Sequence, residues 1–215
     1  MCASCQSGHE IKTPITIIDA DAEVLSLEIG ENEWLQDIRR QTQRLSTLTK
    51  DLIYLSKMEE TQNIGQMIDF PLSDIVADTA QHFESLAKMQ GKSVLSDIAP
   101  MISFCGDEKA IRQLISILLD NVLKYSSNNS AITLALKRQA RAVVIAVSNI
   151  SDTISEGDLP HLFDRFYRAD KSRNSESGGY GIGLSIAQAI VNSHKGKITA
   201  SYSNRVVTIS ATLQS

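Results

Sequence analysis

The stretch "GGYGIGLSIAQAI", Gly178 to Ile190, places glycines at 179, 181 and 183 directly ahead of an apolar helical pattern. Glycine lets a backbone come close to a ligand, and the first turn of a helix presents unpaired N–H groups with a partial positive charge. Phosphate is the natural occupant of such a junction. A Rossmann unit would lead a strand straight into the glycines. Here the polar segment "RADKSRNSESGG", Arg168 to Gly179, precedes them and reads as a mobile flap over a nucleotide. Ahead of the flap, "LFDRFYR", Leu162 to Arg168, alternates aromatics with arginines, and Phe163 and Phe166 read as an apolar plug anchoring it.

Around this stretch the pattern predicts a short strand at 68–70, a helix at 73–89 and two short strands across 93–105. A helix at 107–125, strands at 131–138 and 142–149, a helix at 181–194 and a closing hairpin at 197–213 complete it. Helices and strands mixed without strict alternation predict an α+β fold with one sheet covered by helices on one face. The helix "DEKAIRQLISILLDNVLKYS", Asp107 to Ser126, ends in Asn121, Lys124 and Tyr125. An amide oxygen and a cation one turn apart suit Mg²⁺ and a phosphate, although polar residues on a solvated helix face are also common.

The N-terminal part reads differently. Ile11, Ile15, Ile18, Ala22, Leu25 and Ile29 step by four and three, and after Gly30 the residues Trp34, Ile38, Gln41, Leu45, Leu48, Leu52 and Leu55 do the same. Two helices joined by a short turn follow. A lone hairpin with so narrow a seam buries little surface, so two copies are expected to pair as a four-helix bundle, a homodimer. "TQNIGQ", Thr61 to Gln66, loses the pattern and is the expected linker between residues 1–61 and a second domain at 67–215.

Composition excludes several classes. With 215 residues, 42% of them hydrophobic, the chain can build a packed core. Its net charge of −4 and the lack of a basic run argue against nucleic acid as a partner. Its apolar stretches fall far short of the ~20 residues that cross a bilayer, and residues 1–8 lack the character of a signal peptide. The chain is therefore expected in the cytoplasm, making no membrane contact of its own. Cys2, Cys5 and Cys105 are too few for a disulfide framework. Cys2, Cys5 and His9 share one helical face, but a closed zinc site needs a fourth ligand that the sequence does not offer.

In chain order, "HEIKTP" at 9–14, the Asp107 to Ser126 helix, "FDRFYR" at 163–168 and "GYGIGLS" at 179–185 resemble four boxes of the sensor histidine kinases of two-component signalling. The resemblance covers essentially the whole chain. It implies a dimerisation and histidine-phosphotransfer hairpin followed by an α/β-sandwich ATP-binding domain of the type shared with topoisomerases and heat-shock chaperones. By it, His9 is the nucleophile toward the γ-phosphate of ATP and Glu10 the base on the other ring nitrogen. Histidine suits this role, because its neutral imidazole is available near pH 7 and a carboxylate orients it. Thr13 would position the water that removes phosphate from a response-regulator partner. Asn121 would bind Mg²⁺. Lys124, Arg165 and the loop of Gly179, Gly181, Gly183 and Leu184 would hold the phosphates, and Tyr125 would sit near base or ribose. With only eight residues ahead of His9, the chain is expected to be the catalytic part of a longer, membrane-anchored sensor.

Pro14 removes the helical partner of the Glu10 carbonyl and crowds it, which is expected to bend or loosen the helix just after His9, where two activity states would have to interconvert. The resemblance breaks at one box. Where the family carries Asp-x-Gly-x-Gly-Ile, this chain reads "NISDTI", so Asn149 replaces the adenine-binding aspartate and Ser151 and Thr153 replace the glycines. Asparagine keeps an acceptor oxygen. Retained ATP binding is favoured over two other readings, a kinase-impaired phosphatase or docking module for the regulator, and an ATP-driven clamp. His82, His161 and His194 fall in no box and read as surface or packing residues.

Overall fold

A computed structural model describes residues 3–60, 66–169 and 179–214, except for the side chains at 3–10 and 59–60. Two compact units, Met1–Glu60 and Thr61–Ser215, make up the chain. Most of the 61–66 linker and of the 168–179 flap lies outside the described residues, as does Cys2. Among the described residues no helix is long and apolar enough to cross a membrane, and no three metal-ligating side chains cluster.

The first unit is a pair of helices, α1 (Ala3–Ile29) and α2 (Glu33–Glu60). Helix α1 runs uninterrupted through Pro14, so the lost hydrogen bond does not end it. Gly30 takes the left-handed conformation that closes a helix, at φ +79°. Asn32 then caps α2: its side chain accepts from Leu35 N at 3.0 Å and its carbonyl from Gln36 N at 3.1 Å.

The heptad rows divide. Ile15 and Ala22 of α1 are buried with Leu35, Thr42 and Leu55 of α2, whereas Ile11, Ile18 and Leu25, and Ile38, Leu45 and Leu52, remain 37–50% exposed. One hairpin has room to bury one row per helix. In the first half of α2 the buried row differs from the expected one: Trp34 and Gln41 face solvent and Leu35 and Thr42 are buried beside them, whereas Leu55 is buried as expected. Burial of Thr42 is tolerated because its hydroxyl donates to the Ile38 carbonyl at 2.8 Å.

In the second unit, strands β1 (Ile68–Pro71), β2 (Ser93–Ile98), β3 (Ser103–Gly106), β4 (Ala131–Gln139), β5 (Ala142–Ile150), β6 (Lys197–Ser203) and β7 (Val206–Gln214) alternate with helices α3 (Leu72–Met89), α4 (Glu108–Tyr125) and α5 (Gly183–Ser193). Five strands form one sheet in the order β2-β4-β5-β7-β6, parallel only between β2 and β4. Period-two alternation sends Leu134, Ile145, Val147 and Ile209 to the helix-covered face, and Ser148 and Thr208 to the other, where their hydroxyls meet at 2.9 Å.

The expected single sheet is incomplete as a description, because β1 and β3 pair in a separate two-stranded ribbon. The chain leaves β2 through Pro100 and Met101, the latter at φ +58°, which turns β3 out of the large sheet. Buried Ser73 secures this break. Its hydroxyl donates to the Ala99 carbonyl at 2.7 Å and accepts from Ile102 N at 2.9 Å.

Helix α4 carries the core. Ile111, Leu114, Ile115, Leu118, Leu119 and Val122 recur at three- and four-residue steps and are essentially sealed from solvent. Asp107 caps its start by accepting from Ala110 N at 3.1 Å, and buried Lys92 donates to the Leu123 carbonyl in its last turn at 2.6 Å. Because Leu134 is fully buried against these helices, Leu134→Ala is expected to lower the free energy of unfolding by about 2–5 kcal/mol. Urea titration of the whole chain reads this as a lower midpoint at constant slope.

Candidate nucleotide site

Helices α4 and α5 lie antiparallel, as contacts at both ends show. At the α5 C-terminus, His194 Nε2 accepts from Asp107 N at the start of α4, at 3.1 Å. At the other end a Cβ on Gly183 would lie 3.5 Å from Ile117, and one on Gly179 would lie 3.9 Å from Lys124 Nζ. The glycine loop therefore opens onto the α4 face that carries Asn121, Lys124 and Tyr125.

Gly181 is the residue this loop cannot exchange. It sits at φ +73°, and a Cβ there would fall 2.6 Å from the Tyr167 carbonyl oxygen and 2.8 Å from the Phe166 carbonyl carbon. Phe166 N donates to the Gly181 carbonyl at 2.9 Å. Phe166 is thus no apolar plug: its side chain is 58% exposed and its backbone makes the anchor. Phe163 is half-buried. Ile182 and Leu184 point into the core, so Leu184 can offer a ligand only its backbone.

On α4, Asn121 and Tyr125 are half-buried. The Asn121 side chain makes no hydrogen bond among the described residues, which leaves its amide oxygen available as a hard ligand. Lys124 Nζ meets Asp120 at 2.6 Å on the surface. Such exposed pairs are worth about 0.2–1 kcal/mol, so a phosphate can compete for the ammonium. Arg165 is exposed. His9 and Glu10 lie on α1, in the other unit, and their side chains fall outside the described residues; Thr13 follows on the same helix.

Asn149 lies on the covered face of β5, in register with Ile132 and Val207 and 4% exposed. Its Nδ2 donates to the Ile150 carbonyl at 3.2 Å, which leaves the carboxamide oxygen as the acceptor. The loop that follows closes without a left-handed residue at Ser151 or Thr153. Ser151 is fully buried; its N donates to the Arg205 carbonyl at 2.9 Å and its hydroxyl lies 3.3 Å from that of Thr153. Asp152 is braced on the outside by the Arg205 guanidinium and by the Ser127 hydroxyl at 2.7 Å. The Arg205 bond first, and then the Ser127 bond, lower the Asp152 carboxyl below its ordinary value.

With this geometry in place, residues 106–215 match the family described as histidine kinase-, DNA gyrase B-, and HSP90-like ATPase. Residues 8–61 match the His Kinase A (phospho-acceptor) domain. The chain belongs to the sensor histidine kinases. The chain is 37% identical over 194 residues to sensor protein DltS of Streptococcus agalactiae serotype V, across 90% of the chain and 49% of DltS. It is 31% identical over 199 residues to sensor histidine kinase CusS of Escherichia coli K12, across 91% of the chain and 41% of CusS. The chain thus spans about half the length or less of these curated relatives.

A crystal structure of full-length ShkA in complex with AMPPNP shares the fold of the chain with TM-score 0.82 at 16% identity, over 98% of this chain and 45% of that one. The histidine kinase AdeS of Acinetobacter baumannii does so with TM-score 0.71 at 22% identity, over 96% and 97%.

Two groups of residues at the site carry no warning in the sequence. The hydroxyl pairing of Ser151 with Thr153 looks from composition like the loss of two glycines. The main-chain bond from Phe166 to Gly181 has no residue-type signature at all. A lowered carboxyl contributes stability above its unfolded value and loses it as pH falls through the folded one. Asp152→Asn is therefore expected to be less stable than the parent above pH 3.8. The gap should close as pH falls further, as read by urea midpoints across an acid series.

Proposed function

We propose that the chain is the dimerising, phosphoacceptor and ATP-binding core of a sensor histidine kinase, which phosphorylates itself on His9. The observation that carries this is the opening of the Gly179–Gly183 loop onto the α4 face that bears Asn121 and Lys124. Residues 1–61 serve dimerisation and phosphotransfer, and 67–215 bind ATP. One imidazole nitrogen of His9 attacks the γ-phosphorus, Glu10 takes the proton from the other, and ADP leaves. The phosphoryl group then passes to an aspartate of a response regulator, and Thr13 positions the water that later removes it.

Lys124, Arg165 and the amides of the glycine loop and Leu184 balance the charge of the triphosphate, and Tyr125 lies toward the ribose or base. Mg²⁺, when bound, would neutralise and orient the phosphates, and the Asn121 amide oxygen would be its protein ligand, in keeping with its habit of taking few of them. Asn149 accepts from the adenine amino group through its remaining oxygen. The loop of Ser151 and Thr153 closes without strain, which supports retained base binding over the kinase-impaired reading. The parent protein is membrane-anchored, with this part in the cytoplasm.

Incubation with Mg²⁺ and γ-labelled ATP is expected to give an acid-labile, alkali-stable label that is absent in His9→Gln. Nucleotide binding without label would overturn the kinase step, and ATP turnover that survives His9→Gln would point to a clamp. The exposed rows of Ile18 and Leu45 are the expected dimer face. Ile18→Asp with Leu45→Asp should convert the dimer to monomer in sedimentation, because burying unpaired like charges costs several kcal/mol.

A further inference from the structure

The mechanism above leaves unused a group of polar side chains behind Gly181. A short 3-10 turn, Glu156–His161, carries Asp158, which accepts three hydrogen bonds. Ser155 donates to Oδ2 from its backbone N at 2.8 Å and from its hydroxyl at 2.6 Å, and the Tyr167 hydroxyl donates to Oδ1 at 2.5 Å. The His161 ring lies against the Tyr167 ring, centroids 5.5 Å apart, and its Nδ1 is 2.8 Å from Asp164 Oδ2. These donors hold the Asp158 carboxyl below its ordinary value, Ser155 first and Tyr167 next. Asp158 in turn raises the Tyr167 phenol.

The group closes a loop at a demanding place. Phe166, next to Tyr167, holds φ +64°, a strained conformation that a non-glycine residue keeps only where its surroundings enforce it. Its exposed side chain supplies little burial. What holds it lies on either side: the Phe166 N bond to the Gly181 carbonyl, and the tyrosine whose hydroxyl is fixed on Asp158 and whose carbonyl occupies the space a Gly181 side chain would need.

We infer that Ser155, Asp158 and Tyr167 form a clasp that positions the glycine loop, pressing the 166–167 backbone against Gly181 so that the loop amides are set before nucleotide arrives. The inference rests on the ATP-site reading given above. Neither Asp158 nor Tyr167 touches the nucleotide; both act through Gly181. The order set in advance lowers the entropy lost when phosphate binds.

Two measurements on the whole chain test it. Hydrogen exchange of the nucleotide-free protein across 179–184 is expected to quicken by roughly tenfold in Tyr167→Phe and in Asp158→Asn, while exchange in the sheet stays as in the parent. Exchange unchanged across 179–184 overturns the clasp. Affinity for Mg·ATP, by calorimetry, is expected to fall roughly tenfold in each single variant and no further in the double, because the pair acts as one unit. Asp158→Glu, which keeps the carboxylate, should recover part of it. Parental affinity in the single variants, or losses that multiply in the double, overturns the inference. A parent chain that binds no Mg·ATP removes the ATP-site reading and the inference with it, whereas the exchange result reads the clasp separately.

Discussion

Two antiparallel helices pinned together at one end are the constraint on which the second unit depends. His194 does the pinning. Its Nδ1 faces the Ile190 carbonyl at 2.8 Å and its Nε2 accepts from Asp107 N at 3.1 Å, which suits one neutral tautomer, protonated at Nδ1. The ring also packs on Phe104, whose own neighbour is Phe70, so the β1–β3 ribbon is held at the same point. Gly106 keeps this junction close: a Cβ there would fall 2.5 Å from Phe104 and 3.0 Å from His194. With that end fixed, the other ends of α4 and α5 stay at a set separation, and the glycine loop fills the interval with backbone.

A different constraint shapes the first unit. A helix with apolar residues in two rows of a heptad needs partners on two sides, and one hairpin supplies one side. The exposed isoleucines and leucines at 11, 18, 25, 38, 45 and 52 are therefore the unmet half of the pattern. They explain why the sequence keeps Ile and Leu at positions that the isolated hairpin leaves in water.

Much of this was legible because local rules set it. The stripe of α4 from Ala110 to Leu123, the turn at Gly30 and the glycines before α5 each announce themselves within a few residues. What was not legible depends on contacts between distant segments. The burial of Leu35 and Thr42 instead of Trp34 and Gln41 depends on how the two helices pack against each other rather than on hydrophobicity. The separation of β2 from β3 turns on Ser73, 26 residues before the Ala99 carbonyl it binds. Phe166 reads as a plug because aromatic residues usually are buried; here its neighbour Tyr167 has the tie to Asp158, nine residues back.

The loop after β5 shows why the loss of glycines need not mean the loss of a site. A glycine serves where the chain must adopt φ > 0 or admit a ligand against its backbone. Neither Ser151 nor Thr153 takes a positive φ. Ser151 points into the protein rather than toward the cradle, and its hydroxyl serves the loop by pairing with Thr153. The two hydroxyls replace freedom with internal bonding, and Asp152 fixes the outside of the loop to Arg205 and Ser127. Directly before this braced turn, Asn149 has its nitrogen committed to Ile150 and its oxygen uncommitted. On the proposed reading, a neutral acceptor held in one orientation would ask of adenine what an ionised one would ask, and its desolvation on burial is far less costly than that of a carboxylate.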